Sequence, residues 1–298
     1  MQLALPQRRS SGPRPLRSLA GGLALIANSW TGVIGGIGVL LIVVVSVAGP
    51  FVVASPYNSD VVHIYEGPSV ANWLGTDFAG RDNLALVVYG GADILLLAVA
   101  TGVITVALSA AIGAAAAYFG GLVDTVLTGF TDIWLTVPRF VLLIVIASLV
   151  RIDSTLALAT LIALFSWPAL ARLIRSQVLS LKRREFVEAA QLLDLGAPHI
   201  IAREMLPNMM AFIVVSVIGG MTQAIYAQTS LVFLGIVPLT NNWGVLFSLA
   251  YNRNALYDPS AAWSLLAPMG AIIALQLCLV LLARALEESF NPRLRAER

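Results

Sequence analysis

The strongest constraint on this chain is the length of its apolar runs. A helix that crosses a hydrocarbon core of about 30 Å needs roughly 20 predominantly apolar residues. Six segments meet that requirement, approximately Trp30 to Val53, Ala92 to Phe119, Val123 to Val150, Leu156 to Leu173, Met209 to Leu234 and Trp263 to Leu286. The fourth is interrupted by Trp167-Pro168. Hydrophobic residues fill 58% of the 298 positions and charged residues 11%, against roughly 45 to 50% and 25% in soluble domains. So little charge cannot clothe a water-facing surface. The expected fold is all-α, a polytopic membrane protein with six transmembrane helices whose outer surface meets lipid.

Lysine and arginine set the expected orientation, because basic loops stay cytoplasmic. With the N-terminus inside, the cytoplasmic set is Arg8, Arg9, Arg14, Arg17, Arg172, Arg175, Lys182, Arg183, Arg184, Arg203, Arg284, Arg293, Arg295 and Arg298, fourteen of eighteen. The outer loops hold Arg81, Arg151 and Arg253, and Arg139 falls within a span. The chain then divides into a basic cytoplasmic tail (1–29), a first span (30–53), an extracytoplasmic loop (54–91), a core (92–290) and a cytoplasmic tail (291–298). The core contains a cytoplasmic loop (174–208) and an outer loop (235–262). The first apolar stretch is about twice the length of a signal-peptide core of 7 to 15 residues, and no small-residue cleavage site follows it, so it reads as a true span.

Several kinds of chemistry find no support. The basic residues are not interleaved with aromatics on one stripe, which argues against nucleic acid as a partner. Cys278 is the only cysteine, so an internal disulfide is impossible, and it reads as a small packing residue in an apolar run. His63 and His199 are too few and too far apart to suggest a metal site. The only lysine, Lys182, follows Leu181, so the chain has no phosphate-binding loop ending in G-K-[ST]. Neither H-E-x-x-H nor G-x-S-x-G occurs, and no histidine lies in an expected span to serve as a base. A transport subunit without enzymatic activity or a cofactor of its own is the expectation. An ion-gradient-driven transporter is the alternative, since Asp132 and Arg139 lie in the third span and intramembrane charges often mark permeation paths. Asp132 reads more naturally as structural. Arg139, beside Pro138, is the candidate for meeting an anionic substrate group.

The cytoplasmic loop carries the most specific pattern. From Arg183 it reads R-R-E-F-V-E-A-A-Q-L-L, which puts Phe186, Ala189, Ala190 and Leu193 at i, i+3, i+4 and i+7 on one helical face. The turn Asp194-Leu195-Gly196-Ala197 breaks the helix. Pro198 suits the first turn of a second helix, which Leu206-Pro207 ends. Two short amphipathic helices joined by a turn are expected, and lipid headgroups alone could hold such a pair.

E-A-A at 188–190, followed by L-P-N at 206–208, resembles the signature of bacterial ABC importer permeases. The resemblance continues through N-W-L-G-T-D-F-A-G-R-D (72–82), the approach to the loop from Arg175, S-L-V-F-L-G (230–235), N-W-G (242–244) and N-P-R-L-R (291–295). In that order these segments are similar to the C-type permease subunits of oligopeptide, dipeptide and nickel importers. The resemblance implies a type I importer permease fold in a bacterial inner membrane. It also implies a homologous permease partner, two ATP-binding subunits that bind the ATP and Mg, and an extracytoplasmic binding protein delivering peptides or, alternatively, a nickel chelate. It makes the helix around Phe186, Glu188, Ala189 and Ala190 the ATPase-coupling site, with Asp194, Gly196, Leu206 and Pro207 shaping it. Three departures stand out. The glycine usual after E-A-A-x-x-x is Asp194, with Gly196 two places on, which shifts the expected turn by two residues. The glutamate usual before S-L-x-F-L-G is Gln228, which joins Arg139 as a candidate on the substrate pathway. The loop after Gly235 is slightly short before Trp243.

Overall fold

The computed structural model describes residues 29–237 and 242–290. Most of the N-terminal tail and all of the C-terminal tail with N-P-R-L-R, both read above from sequence, lie outside the described residues. The described chain is helical: α1 (Trp30–Ala48), α2 (Asn83–Phe119), α3 (Gly121–Thr136), α4 (Arg139–Leu149), α5 (Thr155–Leu181), α6 (Glu185–Leu192), a short segment over 197–208, then α7 (Met210–Phe233), α8 (Trp243–Asn252) and α9 (Ala262–Phe290). Among the described residues five helices are long and apolar enough to cross a membrane, and α3 with α4 makes a sixth candidate span bent by 81°.

Helix α2 is the axis of the bundle, and its neighbours are set by small residues. A methyl group at Gly113 would stand 2.4 Å from the Ala171 carbonyl oxygen of α5, and one at Gly102 would stand 2.7 Å from the Val217 carbonyl oxygen of α7. Such backbone approach is the usual way membrane helices gain packing where lipid is as apolar as their side chains. Two hydroxyls add links from α2 to α5: Thr101 Oγ1 donates to the Ala159 carbonyl at 3.3 Å, and Ser109 Oγ to that of Trp167 at 2.9 Å. Both links join residues 58 apart, so α2 and α5 run parallel. The chain between them must therefore return to its starting end, which makes α3 and α4 one broken span and excludes a re-entrant loop. The break falls at Val137-Pro138, where proline disfavours helical geometry in the residue before it and Val137 is extended. The expected straight third span is thus two helices.

The other proline behaves differently. Pro168 lies inside α5, which runs unbroken through it, because α2 packs along the whole length and supplies the Ser109 bond beside it. Helix α5 also ends later than expected, at Leu181, so Arg172 and Arg175 sit on a helix and not in a loop. Likewise α2 begins at Asn83, where Asp82 caps it by accepting from the Leu84 amide at 3.0 Å, although the apolar pattern suggested Ala92. Helix α1 packs on α9, with Gly35 and Gly38 against Leu282 and Cys278. Cys278 is accordingly a packing residue. The opposite face of α1 is exposed, with Leu40 and Leu41 at about 60%, as lipid contact requires.

Hereafter the end where α1 and α7 begin is the lower end, and the opposite end is the upper.

Candidate functional site

At the lower end α6 lies across the mouth of the bundle. Val187 is 0% exposed and Ala190 is 5%. They pack with Ala114 and Ala117 of α2, Ile174 and Val178 of α5, and Ile200 and Met205 of the following segment. Burying a valine side chain contributes about 2 kcal/mol, so the seat is specific. The sequence grouped Ala189 and Leu193 with Phe186 and Ala190 on one apolar face. In the structure both are exposed, Leu193 at 74%, and Leu192 at 88% stands beside it. The register differs because α6 must meet α2 and α5 at the angle its turn allows, and eight residues are too few for periodicity alone to choose between adjacent faces.

The turn is where the structure departs most from expectation. Asp194 holds φ +52°, the left-handed conformation in which glycine is normally found. Its amide donates to the Gln191 carbonyl at 3.0 Å, and the Leu195 amide donates to that of Ala190 at 3.2 Å. These two bonds make a Schellman cap closed by an aspartate, one of the few other residues that tolerates this region. Gly196 has φ −54° and ψ 151°, open to any residue. The turn therefore stays at Asp194, and Gly196 does not take it over. Pro198 sits in the first turn of Ala197–His199 as expected, whereas Leu206 and Pro207 lie inside a helical turn that ends only after Asn208. Lys182 closes the lower end of α2, donating to the Tyr118 carbonyl at 2.6 Å, a cation where the helix dipole is negative.

Above α6, two ion pairs strap α3 to α5. Arg175 makes a two-pronged pair with Asp124 at 2.6 Å for both bonds, and Arg172 pairs with Asp132. Asp132 is thereby given the structural role expected for it, by a partner that the sequence put in a loop.

Arg139 is the first residue of α4, at the break in the third span. It donates to Ser166 Oγ at 3.4 Å and Gln223 Oε1 at 3.3 Å, and it lines a cavity of about 220 Å³ with Trp134, Leu142, Phe165 and Ser166. Gln228 has a different setting. It is 0% exposed, and its Nε2 donates at 2.8 Å to Asn242 Oδ1, which also accepts from the Val245 amide to cap α8. Gly244 leaves the room that this amide occupies, since a methyl group there would stand 2.9 Å from Gln228 Nε2. Trp243 Nε1 donates to the Val87 carbonyl at 2.7 Å. N-W-G with Gln228 is therefore a bracket fastening the upper end of α7 and α8 to α2, and no part of Gln228 reaches open space in this conformation.

The upper loops form one cap. Asp77, 4% exposed, accepts from the amides of Ala79 and Arg81 and from the Arg81 guanidinium at 2.6–2.9 Å. Phe78 lies between the guanidinium groups of Arg81, 5.1 Å from its ring centre, and Arg253, at 4.7 Å, so the loop before α2 grips the loop after α8. On its rim His63 Nδ1 lies 2.8 Å from Asp60 Oδ2. That hydrogen bond, with the charge of Glu66, raises the imidazole above its usual 6.5. Among the described residues no group of three or more His, Cys, Asp or Glu side chains could hold a metal.

Residues 84–296 match the family model described as binding-protein-dependent transport system inner membrane component. The chain belongs to this family. It is a multi-pass membrane permease of the binding-protein-dependent ABC importers. The dipeptide transport system permease protein DppC of Haemophilus influenzae is 31% identical over 276 residues, 88% of this chain and 90% of the relative. A candidate peptide permease protein of Brucella suis is 33% identical over 240 residues, 80% and 78% of the two chains. The oligopeptide transport system permease protein OppC of Mycobacterium tuberculosis is 29% identical over 249 residues, 82% and 84%. Of the features that characterise this permease, sequence reasoning missed the exposed Leu192-Leu193 pair and the Asp124–Arg175 strap. The first was hidden because Leu193 reads as one more apolar residue of the face that holds Phe186 and Ala190, and the helix ends before it, at Leu192. The second required knowing that α5 continues past Leu173.

Proposed function

We propose that this permease forms, with a homologous permease, the membrane path of an ATP-driven peptide importer, and that α6 receives the motion of a separate ATP-binding subunit. The lower end is then cytoplasmic, with both termini on that side, and an extracytoplasmic binding protein delivers peptide to the upper cap. The observation that carries this reading is the two-sidedness of α6. Its Val187 and Ala190 are wedged against α2 and α5, while Glu185, Glu188, Ala189, Leu192 and Leu193 face outward. Two adjacent leucines at 88% and 74% exposure, on the side away from the bundle, suit a cleft in a partner better than water. A push on that face is passed to the bundle through packed side chains, which rearrange between discrete states. ATP and Mg belong to the partner subunits in this scheme. The peptide cargo is supported by the names of the relatives above.

The test is mutation of the outward face. Glu188→Arg or Ala189→Asp should leave the chain inserted and abolish both uptake and substrate-stimulated ATP hydrolysis by the assembled complex; normal coupling in either variant sinks the assignment. In vesicles with the ion gradient collapsed and ATP supplied on the α6 side, accumulation should continue. Its loss would favour a gradient-driven carrier.

A further inference from the structure

The cavity at the break in the third span has a composition that the coupling reading leaves unused. It lies at mid-depth. Ser166 is eleven residues into α5 from Thr155 and fifteen before Leu181, so it stands roughly 17 Å from one end and 23 Å from the other. Arg139 is its only charged lining residue. A guanidinium carries five N–H donors, and two are engaged here, both in long contacts to neutral acceptors at 3.3 and 3.4 Å. Among the described residues no carboxylate lies within ion-pairing distance of it. A cation held inside a membrane bundle without a counter-charge is costly.

One further feature points the same way. Helix α4 also starts here, eleven residues long and with no side chain capping it, so its positive end faces the break. Broken membrane helices present such ends to anionic groups. The remaining wall is apolar and aromatic, with Trp134 and Phe165 stacked at 5.5 Å between ring centres.

We propose that this cavity is a mid-membrane way-station for the carboxy-terminal residue of a peptide. Arg139 takes the carboxylate beside the start of α4, and Leu135, Leu142 and Phe165 surround the side chain next to it. Its 220 Å³ is below the roughly 300 to 1,000 Å³ of sites that enclose a whole ligand, so it holds one end of the cargo and lets the rest move on. This inference rests on the peptide-transport reading, and it adds that the path itself senses the free carboxylate, apart from any selection by the binding protein.

The test has a binding arm and a transport arm, both on the complete complex. N-acetylalanine should slow modification of Arg139 by phenylglyoxal at least fivefold, followed by mass spectrometry of the Arg139 peptide, and N-acetylalanine amide should not. Equal modification with both compounds overturns the proposal. In proteoliposomes supplied with ATP, the ratio of trialanine to trialanine-amide uptake should fall at least tenfold in Arg139→Gln. Arg139→Lys should keep part of the preference. An unchanged ratio in Arg139→Gln overturns the proposal. So does loss of the partner permease from that variant, which would assign Arg139 to an ion pair between subunits. A wild-type complex that moves neither compound while Arg139 is still protected would instead sink the transport reading.

Discussion

Replacing Asp194 by glycine should tighten the end of α6, and replacing Gly196 by alanine should leave it intact. The left-handed region costs an ordinary L-residue about 1 to 2 kcal/mol, and aspartate pays the lower part of that range. Glycine removes the strain but brings extra freedom to the unfolded loop, worth up to about 1 kcal/mol, so the net gain is at most about 1 kcal/mol. Asp194→Val, branched at Cβ, should instead lose about 1 to 2 kcal/mol and loosen the cap. At Gly196 the backbone is already extended, and an added methyl group meets only Pro198 Cδ at 3.9 Å; the change is neutral or gains a few tenths of a kcal/mol. Hydrogen exchange at the Leu195 amide reports the cap directly, because that amide donates to Ala190. Since 1.4 kcal/mol is tenfold in an opening equilibrium, Asp194→Gly should slow its exchange by up to about fivefold. The reasoning is refuted if Gly196→Ala speeds exchange at Leu195 and abolishes uptake while Asp194→Gly changes neither, because the turn would then sit at Gly196.

Three other outcomes follow from the geometry. Asn242→Ala removes the cap of α8, worth about 1 kcal/mol, and leaves the Gln228 amide buried without a partner, at about 1 to 3 kcal/mol more; thermal unfolding in detergent should drop accordingly, and Gln228→Leu added to it should restore part of the loss. Gly80 has φ +72°, and a methyl group there would stand 1.8 Å from the Asp60 carbonyl, so Gly80→Ala should open the upper cap to proteolysis and weaken binding-protein docking with ATP hydrolysis by the unstimulated complex unaltered. For His63, a raised folded pKa means that its bond to Asp60 stabilises the cap fully below about 6.5 and is lost as pH rises through the raised value; nuclear magnetic resonance of the ring should show the elevation, and Asp60→Asn should reduce it, leaving the part due to Glu66.

The apolar runs alone established how many times this chain can cross a membrane, because the thickness of a bilayer sets a length that only a few segments can satisfy. They misjudged where helices begin and end, since Asn83 and Arg172 are polar yet fully helical: a cap at Asp82 and ion pairs to α3 supply what hydropathy does not measure. The E-A-A pattern likewise located α6 without deciding which of its faces is buried. An eight-residue helix carries two turns of periodicity, and the choice between Val187 and Leu193 as the inward side depends on the angle at which α2 and α5 receive it. The same limit applied to Asp194 and Gly196. Composition favours glycine in a left-handed turn, but the hydrogen bonds to Gln191 and Ala190 fix the position from the helix side, whichever residue stands there. Identity and order of the motifs were thus determined locally, by residue chemistry along the chain. The bend at Pro138, the position of Arg139 at its tip with no carboxylate partner among the described residues, and the outward Leu192-Leu193 pair were decided only by tertiary structure, because each depends on what a distant helix leaves uncovered.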